Sequence, residues 1–259
     1  MKIGVAATAP IGADVLERLA ATHDVQFLLT RPDAPSGRGQ KLTPPPAKLV
    51  AERLGIAVHQ PAKPELPAEV DRVVVCAYGL YIPPRLLERS LWLNVHPSLL
   101  PRWRGAAPVE RAILAGDAET GVTIHRTVAE LDGGPVAAQE RFAIGELDAG
   151  AVFVRSAELA ARLLGEVLPD PRFVPQAEDG VTYAEKIGPA DRELNLDDAV
   201  DSWRRVRALS PHIGARGELH GRRVTIWRAR LEAGTFVPEL VQPEGRSRMS
   251  YDEFLRGLR

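Results

Sequence analysis

Short apolar runs alternate with helical patterns through the first half of the chain. The apolar runs predict buried strands at Ile3–Ala7, Val25–Thr30, Ile56–His59, Val73–Ala77 and Leu91–His96. Segments whose apolar residues recur every three or four positions predict helices at Ala13–Ala21, Ala47–Leu54, Pro83–Arg89 and Pro108–Ala115. This alternation predicts an α/β fold with a doubly wound, Rossmann-like parallel sheet. Such a sheet binds its ligands at the carboxyl ends of its strands.

The second half of the chain has a different pattern. Two strands, a long helix, a further helix and a last strand are predicted, in chain order, at Val122–Arg126, Val136–Ile144, Ala149–Val167, Leu196–Leu209 and Arg222–Leu231. Residues 168–180 are polar and rich in proline, which is typical of a linker. We therefore predict two domains, residues 1–188 and residues 189–259. The second is small and β-rich, with only two or three strands.

Composition narrows the class of protein. The chain has 259 residues, of which 45% are hydrophobic and 26% charged, as in ordinary globular proteins. The single cysteine, Cys76, excludes an internal disulfide and favours a reducing compartment. No apolar run reaches the roughly 20 residues that span a membrane. The six histidines show no ligand spacing. We therefore predict a cytoplasmic protein without a membrane partner or a bound metal.

Charge is distributed unevenly along the chain. The formal net charge is only -1, yet residues 203–230 hold eight arginines and a single acid, Glu218. This asymmetry favours a polyanionic partner for that region. A solvated basic face without a partner explains the same composition equally well.

Three polar residues form a candidate reaction centre. Asn94 and His96 lie two apart at the end of a predicted strand, so their side chains share one face. Asp132 lies on a glycine-rich turn between two further strands. The N–H groups of Asn94 and His96 can stabilise an oxyanion, while Asp132 can orient the imidazole and accept a proton. This set suits transfer of an acyl group to an amine. From spacing alone, a strand end with internal hydrogen bonds and a simple Asp-Gly turn remain open.

The strongest resemblance to a known family surrounds this centre. The signature of the methionyl-tRNA formyltransferase family is similar to the run Asn94-Val95-His96-Pro97-Ser98-Leu99-Leu100-Pro101-Arg102-Trp103-Arg104-Gly105-Ala106-Ala107-Pro108. This resemblance implies that Asn94, His96 and Asp132 are catalytic. It also implies that 10-formyltetrahydrofolate is the co-substrate. Its expected contacts lie on two segments and are Ser98, Leu99, Leu100, Pro101, Ala77, Tyr78, Gly79, Leu80 and Ile82.

The same resemblance implies a nucleic-acid partner. Residues 31–42 are similar to the family's tRNA-contacting loop, which implies that Arg38 and Lys41 bind initiator methionyl-tRNA. Residues 189–259 correspond to a shortened form of the family's OB-like, tRNA-binding domain. The implied reaction is formyl transfer to the amino group of methionyl-tRNA, by a protein that we expect to be a monomer. Three alternatives stay open: a formyltransferase for nucleotide-linked amino sugars, a formyltetrahydrofolate hydrolase, and a non-enzymatic RNA-binding protein.

Overall fold

A computed structural model describes residues 1–36 and 39–258 of the chain. Its strands are β1 (Lys2–Ala7), β2 (Asp24–Leu29), β3 (Ala34–Ser36), β4 (Lys41–Thr43), β5 (Ala57–His59), β6 (Arg72–Cys76), β7 (Leu91–His96), β8 (Arg104–Gly105), β9 (Glu119–Arg126), β10 (Val136–Ala143), β11 (Tyr183–Ala184), β12 (Ala215–Leu219), β13 (Arg222–Glu232), β14 (Thr235–Pro243) and β15 (Met249–Ser250). Its helices are α1 (Pro10–Ala20), α2 (Pro46–Leu54), α3 (Pro84–Leu87), α4 (Pro108–Ala115), α5 (Ala149–Val167), α6 (Ala199–Leu209) and α7 (Tyr251–Arg256), with a 3-10 helix at Ala190–Arg192.

A seven-stranded sheet organises the first part of the chain. Its order is β10-β9-β7-β6-β1-β2-β5, and the five neighbouring strands β7, β6, β1, β2 and β5 run parallel. This confirms the predicted α/β, Rossmann-like fold. At one edge the sheet is mixed, because β9 pairs with β7 in the antiparallel direction. Apolar periodicity indicates that a segment is a strand, but it carries no information on the direction in which the strand runs.

Helix boundaries follow local chemistry. Helices α2 and α4 begin at Pro46 and Pro108, where the missing proline N–H leaves no hydrogen bond unmade. Both helices end at glycines in the left-handed conformation, Gly55 at φ 70° and Gly116 at φ 74°. Among the described residues, no helix has the length and apolarity needed to cross a membrane.

The segment 31–46 lies between the predicted strand Val25–Thr30 and the predicted helix Ala47–Leu54, and it contains a short hairpin. Strands β3 and β4 pair antiparallel, with Ala34 opposite Thr43 and Ser36 opposite Lys41. Each strand has only three residues, all of them exposed, so no apolar pattern marks them in the sequence. Lys41 is exposed in β4, whereas Arg38 lies outside the described residues.

The chain forms two compact units, each built from several segments. The first comprises Met1–Arg104, Gly121–Arg141 and Val154–Thr182, and it holds most of the seven-stranded sheet. The second comprises Gly105–Thr120, Phe142–Phe153 and Tyr183–Arg259. The domain boundary between residues 188 and 189 stays a prediction.

A four-stranded antiparallel sheet, β12-β13-β14-β15, forms the β-rich part of the second unit. We predicted two or three strands there, and the structure has one more than that range. The additional strand, β15, has only two residues, and it pairs Met249 with Val241 and Ser250 with Leu240. Ser250 also begins α7 through a capping box with Glu253.

Much of the arginine-rich charge serves internal contacts. Arg207 is 8% exposed, and its guanidinium donates to the main-chain carbonyls of residues 145–147. Arg205 pairs with Asp201, while Arg228 and Arg230 both pair with Glu239. The surplus positive charge that composition suggested for 203–230 is therefore partly neutralised within the fold, and this weakens the compositional argument for a polyanionic partner.

Candidate active site

The structure brings the three predicted catalytic residues together in the first unit. Strand β7 carries Asn94 and His96 near its carboxyl end, with His96 only 4% exposed and Asn94 partly buried. Asp132 lies in the turn between β9 and β10, in the left-handed conformation at φ 47°. Aspartate tolerates that conformation better than most residues. An amide, an imidazole and a carboxylate therefore meet at one edge of the sheet.

Hydrogen bonding fixes the proton on the His96 ring. Its Nε2 lies 2.8 Å from the carbonyl oxygen of Trp103. A carbonyl can only accept, so Nε2 carries the hydrogen and donates it. The opposite ring nitrogen, Nδ1, lies 3.6 Å from Asp132 Oδ2. Burial lowers the pKa of His96, and it outweighs the opposing effects of the Asp132 carboxylate and the Trp103 carbonyl. Neutral His96 therefore presents an unprotonated nitrogen to Asp132.

His96 also makes stability depend on pH. Its folded pKa lies below the ordinary value of 6.5, so the unfolded chain takes up this proton first as the pH falls. Above the ordinary pKa of 6.5, His96 therefore contributes nothing to the pH dependence of the unfolding free energy, and below it the contribution becomes unfavourable. We expect the wild-type protein to lose more stability than a His96→Gln variant when the pH is lowered from about 8 to about 5.5. Urea unfolding at both pH values measures this difference. Equal losses in the two proteins would contradict a lowered pKa for His96.

Asn94 is engaged on both sides by groups of the protein. Its Nδ2 lies 3.1 Å from Asp132 Oδ1 and 3.0 Å from Nε2 of His125. His125 is 2% exposed and lies directly opposite Asn94 in the antiparallel β7–β9 pair. The N–H groups that we predicted to stabilise an oxyanion, on Asn94 and His96, therefore donate within the protein in this structure. His125 was not predicted from the sequence, since only the antiparallel register places it at the site.

A network of side chains supports the Asp132 turn. Gln176 Nε2 donates to the carbonyls of Asp132 and Gly134 at 2.7 and 2.8 Å. Arg104, 7% exposed, donates to Gln176 Oε1 at 2.8 Å and also pairs with Glu130. Arg104 belongs to the signature segment, but nothing in the sequence marks Gln176, which falls in the predicted linker.

A cavity adjoins this network. Its volume is about 550 Å³, within the range that small-molecule sites occupy. Residues of the first unit line it: Arg104, Glu130, Gly133, Pro135, Pro175, Gln176, Ala177, Glu178 and Val181. Open space therefore borders the turn that carries Asp132.

The predicted folate turn, Ser98–Pro101, is held in place by side chains of β9 and β10. Thr123 Oγ1 donates to the Ser98 carbonyl at 2.7 Å, and Gln139 Nε2 donates to the Leu100 carbonyl at 2.9 Å. The Ser98 hydroxyl donates to the carbonyl of Arg102 at 2.7 Å. Ser98 and Leu100 are buried, whereas Leu99 and Pro101 are partly exposed. Sequence reasoning missed Thr123 and Gln139, because they reach the turn only through the pairing of β9 with its neighbours.

The second predicted folate segment presents main chain at the end of β6. Ala77 and Gly79 are exposed, Leu80 is partly exposed, and Tyr78 and Ile82 are buried. The Tyr78 ring packs in the core, and its burial raises the pKa of the phenol to about 12. With only a methyl group and a hydrogen as exposed side chains at Ala77 and Gly79, this strip fits a flat ring laid against the main chain. Buried Tyr78, Ile82, Ser98 and Leu100 would reach such a ring through backbone atoms.

The described residues contain no set of metal ligands. Within residues 1–36 and 39–258, no group of three or more His, Cys, Asp or Glu side chains is placed to hold a metal ion.

Comparison with known proteins identifies the family. A family model described as formyl transferase matches residues 1–168. The methionyl-tRNA formyltransferase of Paracoccus denitrificans is 40% identical over 292 aligned positions, which cover 100% of this chain and 98% of the relative. That alignment is longer than this chain of 259 residues, so the relative contains residues without a counterpart here.

Solved structures share the fold. The methionyl-tRNA formyltransferase from Clostridium thermocellum has a TM-score of 0.67 at 15% identity, with coverage of 94% of this chain and 98% of that one. HypX from Aquifex aeolicus, in complex with tetrahydrofolic acid, has a TM-score of 0.69 at 17% identity, and this chain spans 46% of its length. The family model covers more than half of the chain, and the Paracoccus relative matches along its whole length. The chain therefore belongs to the methionyl-tRNA formyltransferase family, as its signature segment predicts.

Proposed function

We propose that the protein transfers a formyl group from 10-formyltetrahydrofolate to the amino group of initiator methionyl-tRNA. The observation that carries this proposal is the cluster that Asn94 and His96, near the end of β7, form with Asp132. It occurs in a chain that is 40% identical, over its full length, to the methionyl-tRNA formyltransferase of Paracoccus denitrificans. The amino-sugar and hydrolase alternatives are not favoured, because the relatives that match at this identity are methionyl-tRNA formyltransferases.

The proton of the amine goes to the pair formed by Asp132 and His96. An attacking amine must give up one proton as it forms the new bond to the formyl carbon. Asp132 Oδ2 and His96 Nδ1 lie 3.6 Å apart, and neutral His96 has no proton on that nitrogen, so the pair can take one. When bound, the folate supplies the formyl group and a nitrogen that leaves. The pair then returns its proton to that nitrogen, so protons balance over the cycle.

Charge on the formyl oxygen is balanced by the same transfer. The His96 Nε2–H and the Asn94 N–H groups already donate to protein atoms. Uptake of the proton makes the Asp132–His96 pair neutral, so the Asp132 carboxylate no longer opposes the negative charge that develops on the formyl oxygen.

The folate is held against two strips of main chain. We assign its contacts to the exposed main chain of Ala77 and Gly79, with Leu80 beside them, and to the Ser98–Pro101 turn. Thr123 and Gln139 hold that turn in place, so its carbonyls need little rearrangement on binding. We further propose that the protein is a cytoplasmic monomer without a membrane partner or a bound metal.

One assay separates the proposed acceptor from its alternatives. Purified protein is given 10-formyltetrahydrofolate with a labelled formyl group, together with charged initiator tRNA, nucleotide-linked amino sugars, or neither. We expect label on the methionyl-tRNA alone. Label on the sugars, or label released only as formate, would overturn the proposed function.

The predicted tRNA contacts can be tested in the same assay. We expect Arg38→Ala and Lys41→Ala each to raise the KM for tRNA by about 5- to 10-fold and to lower the salt dependence of binding by about one unit of slope. The KM for folate should not change. Lys63→Ala removes an exposed lysine elsewhere and serves as the control. A matching loss of folate binding would show instead that the loop has a structural role.

A further inference from the structure

His125 is a buried imidazole that contacts two of the three predicted catalytic residues. Its Nε2 lies 3.0 Å from Asn94 Nδ2 and 3.6 Å from Asp132 Oδ1. His96 and His125 lie near different carboxylate oxygens of Asp132, and the centroids of the two rings are 6.3 Å apart. Neither the signature segment nor the predicted chemistry uses His125.

The hydrogen bonds of His125 determine its tautomer. Nδ1 lies 3.1 Å from the carbonyl oxygen of Arg126, which can only accept, so Nδ1 carries the hydrogen. In a neutral ring, Nε2 is then an acceptor. It faces Asn94 Nδ2, which can only donate. The two contacts thus agree on one neutral form of the ring.

This tautomer fixes the orientation of the Asn94 amide. One hydrogen of Nδ2 goes to His125 Nε2 and the other to Asp132 Oδ1. The reversed amide would place Oδ1 against both the lone pair of His125 and the carboxylate of Asp132, and it would lose both hydrogen bonds. The carbonyl oxygen Oδ1 must therefore point away from the two acceptors. Across residues 1–36 and 39–258, no group donates to it, and Asn94 is partly exposed.

We propose that His125 is a positioning residue that holds the Asn94 carbonyl oxygen toward the attacking amine, where it accepts an amine N–H and aims the nitrogen lone pair at the formyl carbon. This inference rests on the proposed function for the identity of the amine. It changes the role of Asn94 from stabilising negative charge to orienting the nucleophile. Asp132 and His96 take the proton, and Asn94 keeps the second N–H of the amine in place.

Two substitutions of His125 separate positioning from simple filling of the core. In His125→Gln, the side-chain oxygen can accept from Asn94 Nδ2 at about the place of Nε2. His125→Met is of similar length but lacks a comparable acceptor there. We expect the Met variant to lose about 10- to 100-fold in kcat with an unchanged dissociation constant for folate, and the Gln variant to stay within about 3-fold of wild type. Equal kcat losses in the two variants, tracking their losses of thermal stability, would overturn the proposal.

The tautomer is measured without any substrate. Nitrogen-15 NMR of the full-length wild-type protein, with ring resonances assigned by His125→Gln, should show a protonated Nδ1 and an unprotonated Nε2 at His125. A hydrogen on Nε2, or on both nitrogens at neutral pH, would overturn the inference even if methionyl-tRNA is formylated. Because this readout needs no acceptor, failure of formylation would overturn the proposed function and leave the NMR result to decide the orientation of Asn94. If His125→Met does not fold, the NMR result and His125→Gln decide the matter.

Discussion

The Asp132→Asn variant is expected to lose at least about 100-fold in kcat while keeping its fold. Asparagine preserves the shape of the side chain, and its Oδ1 can still accept from Asn94 Nδ2. The change removes the negative charge beside His96 Nδ1, and with it the carboxylate half of the pair that takes the amine proton. The loss should therefore fall on the chemical step rather than on substrate binding.

Single-turnover formyl transfer measures that loss directly. Folate binding and urea unfolding are measured alongside, and both should stay close to wild type. Asp71→Asn neutralises an exposed carboxylate elsewhere in the first unit and provides the matched control. An Asp132→Asn variant with a kcat within about 10-fold of wild type would exclude Asp132 as the proton acceptor.

Gly134→Ala should have the second large effect. A Cβ at this position would lie 1.8 Å from the carbonyl oxygen of Arg126, so the main chain has to move. That movement displaces the turn that carries Asp132 and the Gly134 carbonyl bonded by Gln176. We expect a kcat loss of about 100-fold from misplacement of the carboxylate. We also expect a loss of about 1–3 kcal/mol in unfolding free energy from the steric clash.

The neighbouring glycine provides the control for this variant. A Cβ on Gly133 would meet the carboxyl group of Glu130 at 2.3 Å, but that side chain is 65% exposed and can move, losing at most its ion pair with Arg104, which keeps its hydrogen bond to Gln176. We therefore expect Gly133→Ala to retain most of the activity and stability. Comparable losses in the two variants would mean that any added methyl group disrupts the turn, and that the Arg126 carbonyl plays no special part.

The fold could be predicted where local signals agree. The boundaries of β7, α4 and α5 coincide with the predicted ranges Leu91–His96, Pro108–Ala115 and Ala149–Val167. All three segments have regular apolar spacing. The two helices also have residues at their ends that favour the start or the end of a helix, so short-range chemistry specifies these segments. Strands of two or three residues, such as β3, β4 and β15, bury too few apolar side chains to leave a pattern.

The site could be predicted only in part, because some of the residues that form it lie far apart along the chain. Asn94 and His96 share a strand, and a family signature marks them. His125 reaches Asn94 through an antiparallel register, and Gln176 reaches Asp132 from a segment more than forty positions away. Such contacts depend on which strands become neighbours and in which direction, and single-sequence periodicity does not encode either property.

The main-chain oxygen of Trp103 receives the His96 Nε2–H. Every amino acid supplies the same oxygen, so divergence of the side chain at position 103 need not alter which nitrogen of His96 is basic. The number of residues between His96 and Trp103 should therefore matter more to this hydrogen bond than the side chain at position 103.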